Sequence, residues 1–216
     1  MFLFIDKPKG ITSHDVVDSV RKETGEKRVG HAGTLDPNAS GLLIVGVGRE
    51  STRKLDQFLK QDKEYEAEII LGEERDTDDI DGKVTSKDSS GKRPTGKDIE
   101  LILKNFRGKI KQIPPRYSAI KTKGKTAYKL ARKGMVLELP ERDVNIYSIK
   151  ITHYKFPVLK TICIVGSGTY IRSIARDLGR KLGTYAYLNN LRRTKIGKYD
   201  IKDATPLNGV RDILKI

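Results

Sequence analysis

Cysteine and histidine are scarce in this chain. Its 216 residues include one cysteine, Cys163, and three histidines. A single cysteine excludes a disulfide framework, and so few Cys and His side chains argue against a Cys/His metal cluster. Cys163 lies in a predicted strand, where we expect it to behave as a small buried hydrophobic residue. The composition therefore directs attention to chemistry that needs neither a disulfide nor a metal.

Long hydrophobic runs are also missing. The longest, residues 42–47, is far shorter than the ~20 residues that a transmembrane helix requires. Residues 1–6 are too few and too quickly charged to form a signal peptide. A chain of this length usually forms one domain. We therefore expect a single-domain, cytoplasmic protein.

Acidic residues are absent from one long basic stretch. The chain has 43 Lys and Arg against 28 Asp and Glu, a net charge of +15. Residues 104–133 hold eleven bases and no acid, residues 172–198 hold eight bases and one acid, and residues 62–81 hold ten acids and two bases. Such segregation indicates a polyanion partner, of which phosphate backbones are the commonest. A basic surface without a partner is the alternative. Tyr117 and Tyr128 lie in the acid-free stretch, where their aromatic rings could stack on the nucleobases of a nucleic acid.

Periodicity predicts an α+β fold with a mixed sheet, because strands and helices follow one another without strict alternation. The predicted strands are residues 2–5, 42–47, 64–71, 144–153, 159–165 and 195–199. The predicted helices are a segment capped by Ser13 and ending before Gly25, and residues 51–59, 97–106, 126–133 and 169–182. Residues 29–41 and 82–96 are predicted loops.

The first candidate for chemistry is Asp36, within residues 30–41. Pro37 disfavours helical backbone at Asp36, and three glycines in this segment permit sharp turns and close approach by a ligand. A carboxylate on such a loop, just before a buried strand, is well placed for nucleophilic catalysis. A plain β-turn is the alternative that the spacing leaves open.

The acidic segment 76–82 nearly matches a calcium-binding loop when counted from Thr77. However, the first ligand position is threonine, the twelfth is Asp88 instead of glutamate, and a strand precedes the segment. We therefore reject calcium binding and predict a polar loop that positions other residues.

A glycine-rich segment, residues 166–172, opens a predicted helix without the Gly-Lys-Ser/Thr ending of a P-loop. Arg172 lies in the first helical turn, where the helix dipole disfavours a cation. Arg176 and Arg180 follow at four-residue spacing on the same face, which adds repulsion. An anion beside this face, a phosphate or a carboxylate such as Asp36, would resolve the conflict. Three solvated arginines are the alternative.

Seven sets of short segments, spread over most of the chain, resemble in sequence and order the motifs of TruB-type tRNA pseudouridine synthases. The matching segments are KPKG (7–10), GHAGTLDP (30–37) with GLL (41–43), KEY (63–65), DTD (76–78), PPRYSAIK (114–121), GTYIRS (168–173) and LRR (191–193). The resemblance implies the pseudouridine synthase fold, a central mixed, mostly antiparallel sheet flanked by helices and loops. It also implies one catalytic domain over residues 1–216, with a basic RNA-gripping insertion at about 104–150. No room is left for the C-terminal RNA-binding (PUA) domain of many members.

The same resemblance implies isomerisation of uridine to pseudouridine in tRNA, at position 55 of the TΨC loop, without a cofactor or metal. Asp36 would be the nucleophile, and Arg172 its ion-pair partner. Tyr65 would stack on the flipped uracil and help to remove the proton from carbon 5. Whether the aspartate attacks the base or the sugar, or assists loss of a ribose proton, is left open.

Further residues take their expected roles from the resemblance. Tyr170 and Leu191 match positions that line the base pocket, and His31 matches a position that contacts RNA. The other expected RNA contacts are Lys7, Lys9, Arg116, Tyr117, Lys121, Arg176, Arg192 and Arg193. The expected partner is the TΨC stem-loop of tRNA, bound by a monomer. The alternatives are a non-catalytic RNA-binding or tRNA-folding module, and a sister synthase that acts on ribosomal RNA.

Overall fold

The computed structural model describes residues 1–118, 120–122, 125–131 and 139–210. The helices are α1 (Ser13–Thr24), α2 (Arg49–Arg53), α3 (Asp56–Leu59), α4 (Gly96–Lys104), α5 (Ala127–Ala131) and α6 (Ile171–Leu182), with 3-10 turns at Ile201–Asp203 and Leu207–Gly209. The strands are β1 (Phe2–Lys7), β2 (Val29–Ala32), β3 (Ala39–Val47), β4 (Lys63–Leu71), β5 (Glu73–Arg75), β6 (Val84–Lys87), β7 (Gly108–Gln112), β8 (Lys121–Thr122), β9 (Lys125–Thr126), β10 (Arg142–Lys155), β11 (Val158–Val165), β12 (Ala186–Ile196), β13 (Tyr199–Asp200) and β14 (Thr205–Pro206). Within the described residues, no helix combines the length and apolar character needed to cross a membrane.

The chain forms two compact units, and it passes from one to the other within β4 and within β12. The first unit comprises Met1–Glu66 and Leu191–Ile216, and the second comprises Ala67–Asn190. In the first unit, β3 pairs antiparallel with β1 and β2 and parallel with β12, while β1 pairs parallel with β14. The sheet is therefore mixed, as the sequence predicts.

The core of the first unit lies on both faces of β3. Every residue of β3 is buried, which explains its continuous apolar run. Val16, Val17 and Val20 of α1 join one hydrophobic cluster, and Phe58 of α3 joins another. Burial on both sides makes β3 a rigid support for the segment that precedes it.

The second unit is built on antiparallel pairs. Strand β10 pairs with β11 and with β7, and β5 pairs with β6. Helix α4 contacts both α6 and β10. Cys163 of β11 is 1% exposed, and burial raises the pKa of its thiol to about 11. This confirms the predicted role of Cys163 as a small buried hydrophobic residue.

Three predicted loops or boundaries are wrong. Residues 29–32 form β2 because they pair with β3, although their glycine and histidine suggested a turn. The predicted loop 82–96 contains β6, which pairs with β5. Strand β12 extends from residue 186, well before the predicted start at 195, because pairing with neighbouring strands overrides its polar composition.

Two predicted helix details also need correction. Thr12, one residue before Ser13, caps α1: its hydroxyl accepts from the Asp15 N–H, and the Asp15 carboxylate accepts from the Thr12 N–H. The predicted end before Gly25 is confirmed by the left-handed Gly25 cap. The single helix predicted at 51–59 is divided into α2 and α3.

Candidate active site

The loop that carries Asp36 joins β2 to β3 in the first unit. The residue before Asp36 is held by Ser13 of α1, whose Oγ donates to the Leu35 carbonyl at 3.0 Å and accepts from the Leu35 N–H at 2.9 Å. The Asp36 carbonyl accepts from the Ala39 N–H at 3.0 Å. Because Ser13 is spared from capping α1, its hydroxyl is available to anchor the loop.

The residue after Asp36 is anchored by the turn that follows β1. The Pro37 carbonyl accepts from the Gly10 N–H at 2.9 Å and from Lys7 Nζ at 3.3 Å. Lys7 Nζ also donates to the carbonyls of Pro8 and Ile11. Both neighbours of Asp36 in sequence are therefore held through their backbones.

Lys7 is a fully buried cation, 0% exposed. Burial lowers its pKa to about 8, although the charges of Asp36 and Asp15 oppose that shift, and the charge of Arg193 adds to it. The resemblance predicted Lys7 as an RNA contact. The structure instead encloses its ammonium group and directs it to loop carbonyls, since a buried charge requires such compensation.

The two arginines predicted as RNA contacts in β12 have different environments. Arg192 is half-buried and pairs with Asp6 through both terminal nitrogens, at 3.1 and 2.7 Å. Arg193 is 1% exposed, and its guanidinium donates to the carbonyls of Gly33 and Leu42. Contacts of Arg192 and Arg193 with RNA stay predictions.

Three further predicted residues lie in the first unit. Tyr65 of β4 and Leu191 of β12 are buried, each 9% exposed, and Leu191 pairs with Ala39 at the start of β3. His31 of β2 is half-buried, and burial lowers its pKa, with the positive charge of Arg193 adding to the shift. Among the described residues, His31 Nδ1 has no hydrogen-bond partner although it is buried.

In the second unit, Arg172 is the second residue of α6 and is 5% exposed. Its Nη1 lies 3.2 Å from Asp79 Oδ2 and donates to the Thr77 carbonyl at 3.2 Å, and its Nη2 donates to the Tyr117 carbonyl at 2.9 Å. The unfavourable position of a cation at the start of a helix is thus compensated by a carboxylate and by backbone dipoles.

The other two arginines of the same face also pair with acids. Arg176, 7% exposed, lies 2.8 Å from Asp78, and its Nη2 donates to the Ile113 carbonyl. The more exposed Arg180 binds both carboxylate oxygens of Glu74. The alternative of three solvated arginines is therefore wrong for Arg172 and Arg176, whereas Arg180 is exposed. The prediction that the acidic segment positions other residues is confirmed, whereas contact between Arg176 and RNA stays a prediction.

Tyr170 precedes α6 and is fixed by one side chain of β7. Its N–H donates to Gln112 Oε1 at 2.9 Å, and its carbonyl accepts from Gln112 Nε2 at 3.1 Å. Ser173 donates to the next carbonyl, that of Ile113. These hydrogen bonds connect the start of α6 to residues 112 and 113 of the predicted insertion.

Within the predicted insertion at about 104–150, β7 pairs with the first residues of β10. The segment between these two strands therefore begins and ends at neighbouring strands of one sheet. Arg116 is exposed, as is Lys9 in the first unit, and both remain available for phosphate contacts. Tyr117 is half-buried. The side chain of Lys121 lies outside the described part of the structure.

The pH dependence of the free energy of unfolding tests the environment of Asp78, the acid that pairs with Arg176. Burial raises its pKa to about 6, although the charges of Arg176 and Arg172 oppose that shift. The folded state therefore binds this proton more readily than the unfolded state between pH 4 and 6. The free energy of unfolding should fall as pH rises through this window, by up to about 1.4 kcal/mol per pH unit. Urea unfolding of wild type and Asp78→Asn, from pH 4 to 7, measures this slope as the difference between the two proteins. Parallel pH profiles would contradict the assignment.

The predicted site residues are distributed over both units: Asp36, Tyr65 and Leu191 in the first, and Tyr170 and Arg172 in the second. The ion pair predicted between Asp36 and Arg172 stays a prediction. Sequence reasoning missed Ser13 as a loop anchor and Gln112 as the partner of Tyr170. Only the position of Ser13, beside a second residue able to cap α1, could have indicated its role.

Comparison with known proteins gives a consistent result. Residues 21–171 match the sequence model of the TruB family pseudouridylate synthase N-terminal domain, and residues 172–216 match that of the tRNA pseudouridylate synthase B C-terminal domain. The tRNA pseudouridine synthase B of Protochlamydia amoebophila is 46% identical, over 96% of this chain and 77% of the relative. That of Thermosipho melanesiensis is also 46% identical, over 94% of this chain and 66% of the relative.

Solved structures agree with these relatives. A Cbf5–Nop10–Gar1 complex has a chain that matches with a TM-score of 0.74 and 29% identity, over 98% of this chain and 53% of that chain. An H/ACA RNP bound to a substrate RNA containing 2'-deoxyuridine matches with a TM-score of 0.72 and 28% identity, over 98% and 52%. The present chain therefore spans about half the length of these structures.

Proposed function

Because this chain belongs to the TruB family of pseudouridylate synthases, we propose that it isomerises uridine to pseudouridine in tRNA. The observation that carries the proposal is the anchored loop, in which Leu35 and Pro37 are fixed on either side of Asp36. Such anchoring is what a nucleophile requires, since its reactive atom must be held close to the productive geometry. The relatives named tRNA pseudouridine synthase B support tRNA as the substrate class.

The proposed reaction is balanced without any co-reactant. The bond between N1 of uracil and C1′ of ribose breaks, the base turns, and a bond between C5 and C1′ forms. A proton leaves C5 and one is taken up at N1, so substrate and product are isomers. No oxidant, reductant or cofactor is needed.

In this proposal Asp36 is the nucleophile and Arg172 its cationic partner. Tyr65 stacks on the uracil and assists removal of the proton from C5, while Tyr170 and Leu191 enclose the base. The burial of Tyr65 and Leu191 supports these roles, because apolar and aromatic surfaces are what a flipped base needs.

The target proposed is uridine 55 of the TΨC loop. Flipping a base out of a folded loop costs a few kcal/mol, and aromatic stacking returns roughly 1–3 kcal/mol per base. Phosphate contacts from exposed cations supply further binding free energy. Lys9 and Arg116 are exposed and suit that role, and His31 is proposed to contact the RNA beside the base.

The deciding experiment is incubation of the purified protein with an unmodified tRNA transcript, followed by nucleoside analysis. Pseudouridine should appear at one residue per tRNA, and a transcript with cytidine at position 55 should yield none. A ribosomal RNA fragment serves as the competing substrate.

Each other outcome has a distinct meaning. Tight tRNA binding without any pseudouridine would instead identify a non-catalytic RNA-binding module and overturn the proposal. Product in ribosomal RNA alone would replace tRNA as the substrate. Product in the transcript lacking uridine 55 would overturn the choice of position.

A further inference from the structure

Adjacent arginines of β12 differ in a way that the sequence does not reveal. Both Arg192 and Arg193 belong to the LRR motif and were predicted to contact RNA. Arg192 forms a partly exposed pair with Asp6, whereas Arg193 is among the largest fully buried side chains. Burying a cation costs free energy unless strong hydrogen bonds compensate it. The environment of Arg193 must therefore supply them.

The compensation for Arg193 comes from two backbone carbonyls, one at the start of the loop that carries Asp36 and one in the strand that follows it. Its Nε donates at 2.8 Å to the carbonyl of Leu42, the fourth residue of β3. Its Nη2 donates to the Gly33 carbonyl at 3.0 Å, where the loop leaves β2. One rigid guanidinium thus connects the first residue of the loop that carries Asp36 to the strand that follows the loop. A lysine ammonium, being a compact point charge on a flexible stem, lacks this fork geometry.

The backbone at Arg193 is held as closely as its side chain. Residues 191–193 pair in parallel with residues 39–41 of β3. A Cβ atom at Gly41 would overlap the carbonyl and amide of Arg193, and Gly41 has a φ of +108°. Glycine at 41 is therefore required for this approach, and the approach places the guanidinium at the base of the loop.

We infer that Arg193 is a positioning residue for Asp36 and not an RNA contact. The two neighbours of Asp36 in sequence are already anchored through their backbones. Arg193 adds hydrogen bonds to Gly33, which precedes Asp36, and to Leu42, which follows it. Loss of these hydrogen bonds would let the Asp36 carboxylate move from its productive position without changing the RNA-binding surface. A displacement of about 1 Å can cost roughly 10²-fold in rate.

The electrostatics of Lys7 support this arrangement. The charges of Asp36 and Arg193 act on its pKa in opposite directions, one raising it and the other lowering it. Loop carboxylate, Lys7 and Arg193 therefore lie close enough to influence one another. Two buried cations at one loop, both bonded to its backbone carbonyls, mark the loop as the element being stabilised.

The inference rests on the proposed function, and its test is Arg193→Lys in single-turnover pseudouridine formation with saturating tRNA transcript. We expect the rate constant to fall roughly 10²-fold, with tRNA affinity within twofold of wild type. The slope of log affinity against log salt should also stay unchanged, because no phosphate contact is lost. A merely structural role would not separate rate from affinity in this way.

The matched control is Lys195→Gln, a cation of the same strand that pairs with Glu64 and Asp200 at the surface. Its rate and affinity should both stay within twofold of wild type. Thermal unfolding of each variant identifies any loss of folded protein. If Arg193→Lys does not fold, Ser13→Ala tests the same loop without removing a charge, and we expect a roughly tenfold lower rate at unchanged affinity.

Two results would overturn the inference. One is a wild-type rate in a folded Arg193→Lys variant. If Arg193→Lys does not fold, a wild-type rate in the Ser13→Ala variant is the corresponding result. The other is weaker tRNA binding with a salt slope reduced by about one and a preserved rate, which would make Arg193 a phosphate contact. Absence of pseudouridine with the wild-type protein would instead overturn the proposed function.

Discussion

Replacing Asp36 with asparagine should abolish pseudouridine formation while leaving tRNA binding within a fewfold of wild type. The amide keeps the size and shape of the side chain but carries no charge and is not a nucleophile. Loss of a catalytic nucleophile costs up to ~10⁶-fold, so we expect at least ~10⁴-fold here. Because Leu35 and Pro37 hold the loop through their backbones, the substitution should not disturb its conformation. Nucleoside analysis and a tRNA-binding titration measure the two effects.

The control for this substitution is Asp56→Asn, an acid-to-amide change at an exposed position of α3. It should leave product formation within twofold of wild type. A folded Asp36→Asn variant that forms pseudouridine at the wild-type rate would eliminate Asp36 as the nucleophile.

Arg172→Lys should lower turnover roughly 10²–10³-fold, the range found when one preorganised donor is removed from an active site. Arg172 contacts the Asp79 carboxylate and the Thr77 carbonyl through Nη1, and the Tyr117 carbonyl through Nη2. Lysine keeps the charge but loses the planar fork that serves several acceptors at once. Affinity for tRNA should change little, because Arg172 is only 5% exposed and offers almost no surface to RNA. Single-turnover rates and binding titrations separate the two quantities.

The same helix provides the comparison. Arg180→Lys alters an arginine of the same face, but Arg180 is more exposed and pairs only at the surface with Glu74. Surface pairs contribute about 0–1 kcal/mol, so turnover should stay within twofold of wild type. Equal turnover in the Arg172→Lys and Arg180→Lys variants would show that Arg172 only stabilises the helix.

The catalytic loop was accessible from sequence because its signals are local. Glycines and Pro37 surround Asp36 within a few residues, and a buried apolar strand follows. Strand β4 is predictable for a similar reason, since its alternating pattern indicates one buried face. The TruB resemblance then supplied the roles, which composition and spacing alone left open.

The buried cations could not be predicted in the same way. Lys7 and Arg193 donate to backbone carbonyls, and every residue has a carbonyl, so no residue type announces the partner. The resemblance implies RNA contacts for both, whereas the structure buries both side chains. Strand β12 was largely missed for a related reason. Its inward positions include Arg193, which breaks the apolar alternation used to recognise a strand.

The acidic segment was interpreted correctly in kind but not in detail. Rejection of calcium binding left its carboxylates without named partners. Asp78 and Asp79 pair with arginines almost a hundred residues away, and charge segregation alone cannot assign such pairs. The one local signal was the arginine at the start of α6, which required an anion.

The enclosure of Cys163 has a practical consequence for following this protein at work. Cys163 is 1% exposed, and burial raises the pKa of its thiol to about 11, so the thiol is protonated at neutral pH and shielded from reagents. Maleimide dyes and spin labels should therefore leave the native side chain unmodified. A cysteine introduced at an exposed site outside the proposed RNA contacts, such as Gln57, would accept a single probe without prior removal of Cys163. The chain is thus ready for fluorescence or electron-spin measurements on its RNA complexes in its native background.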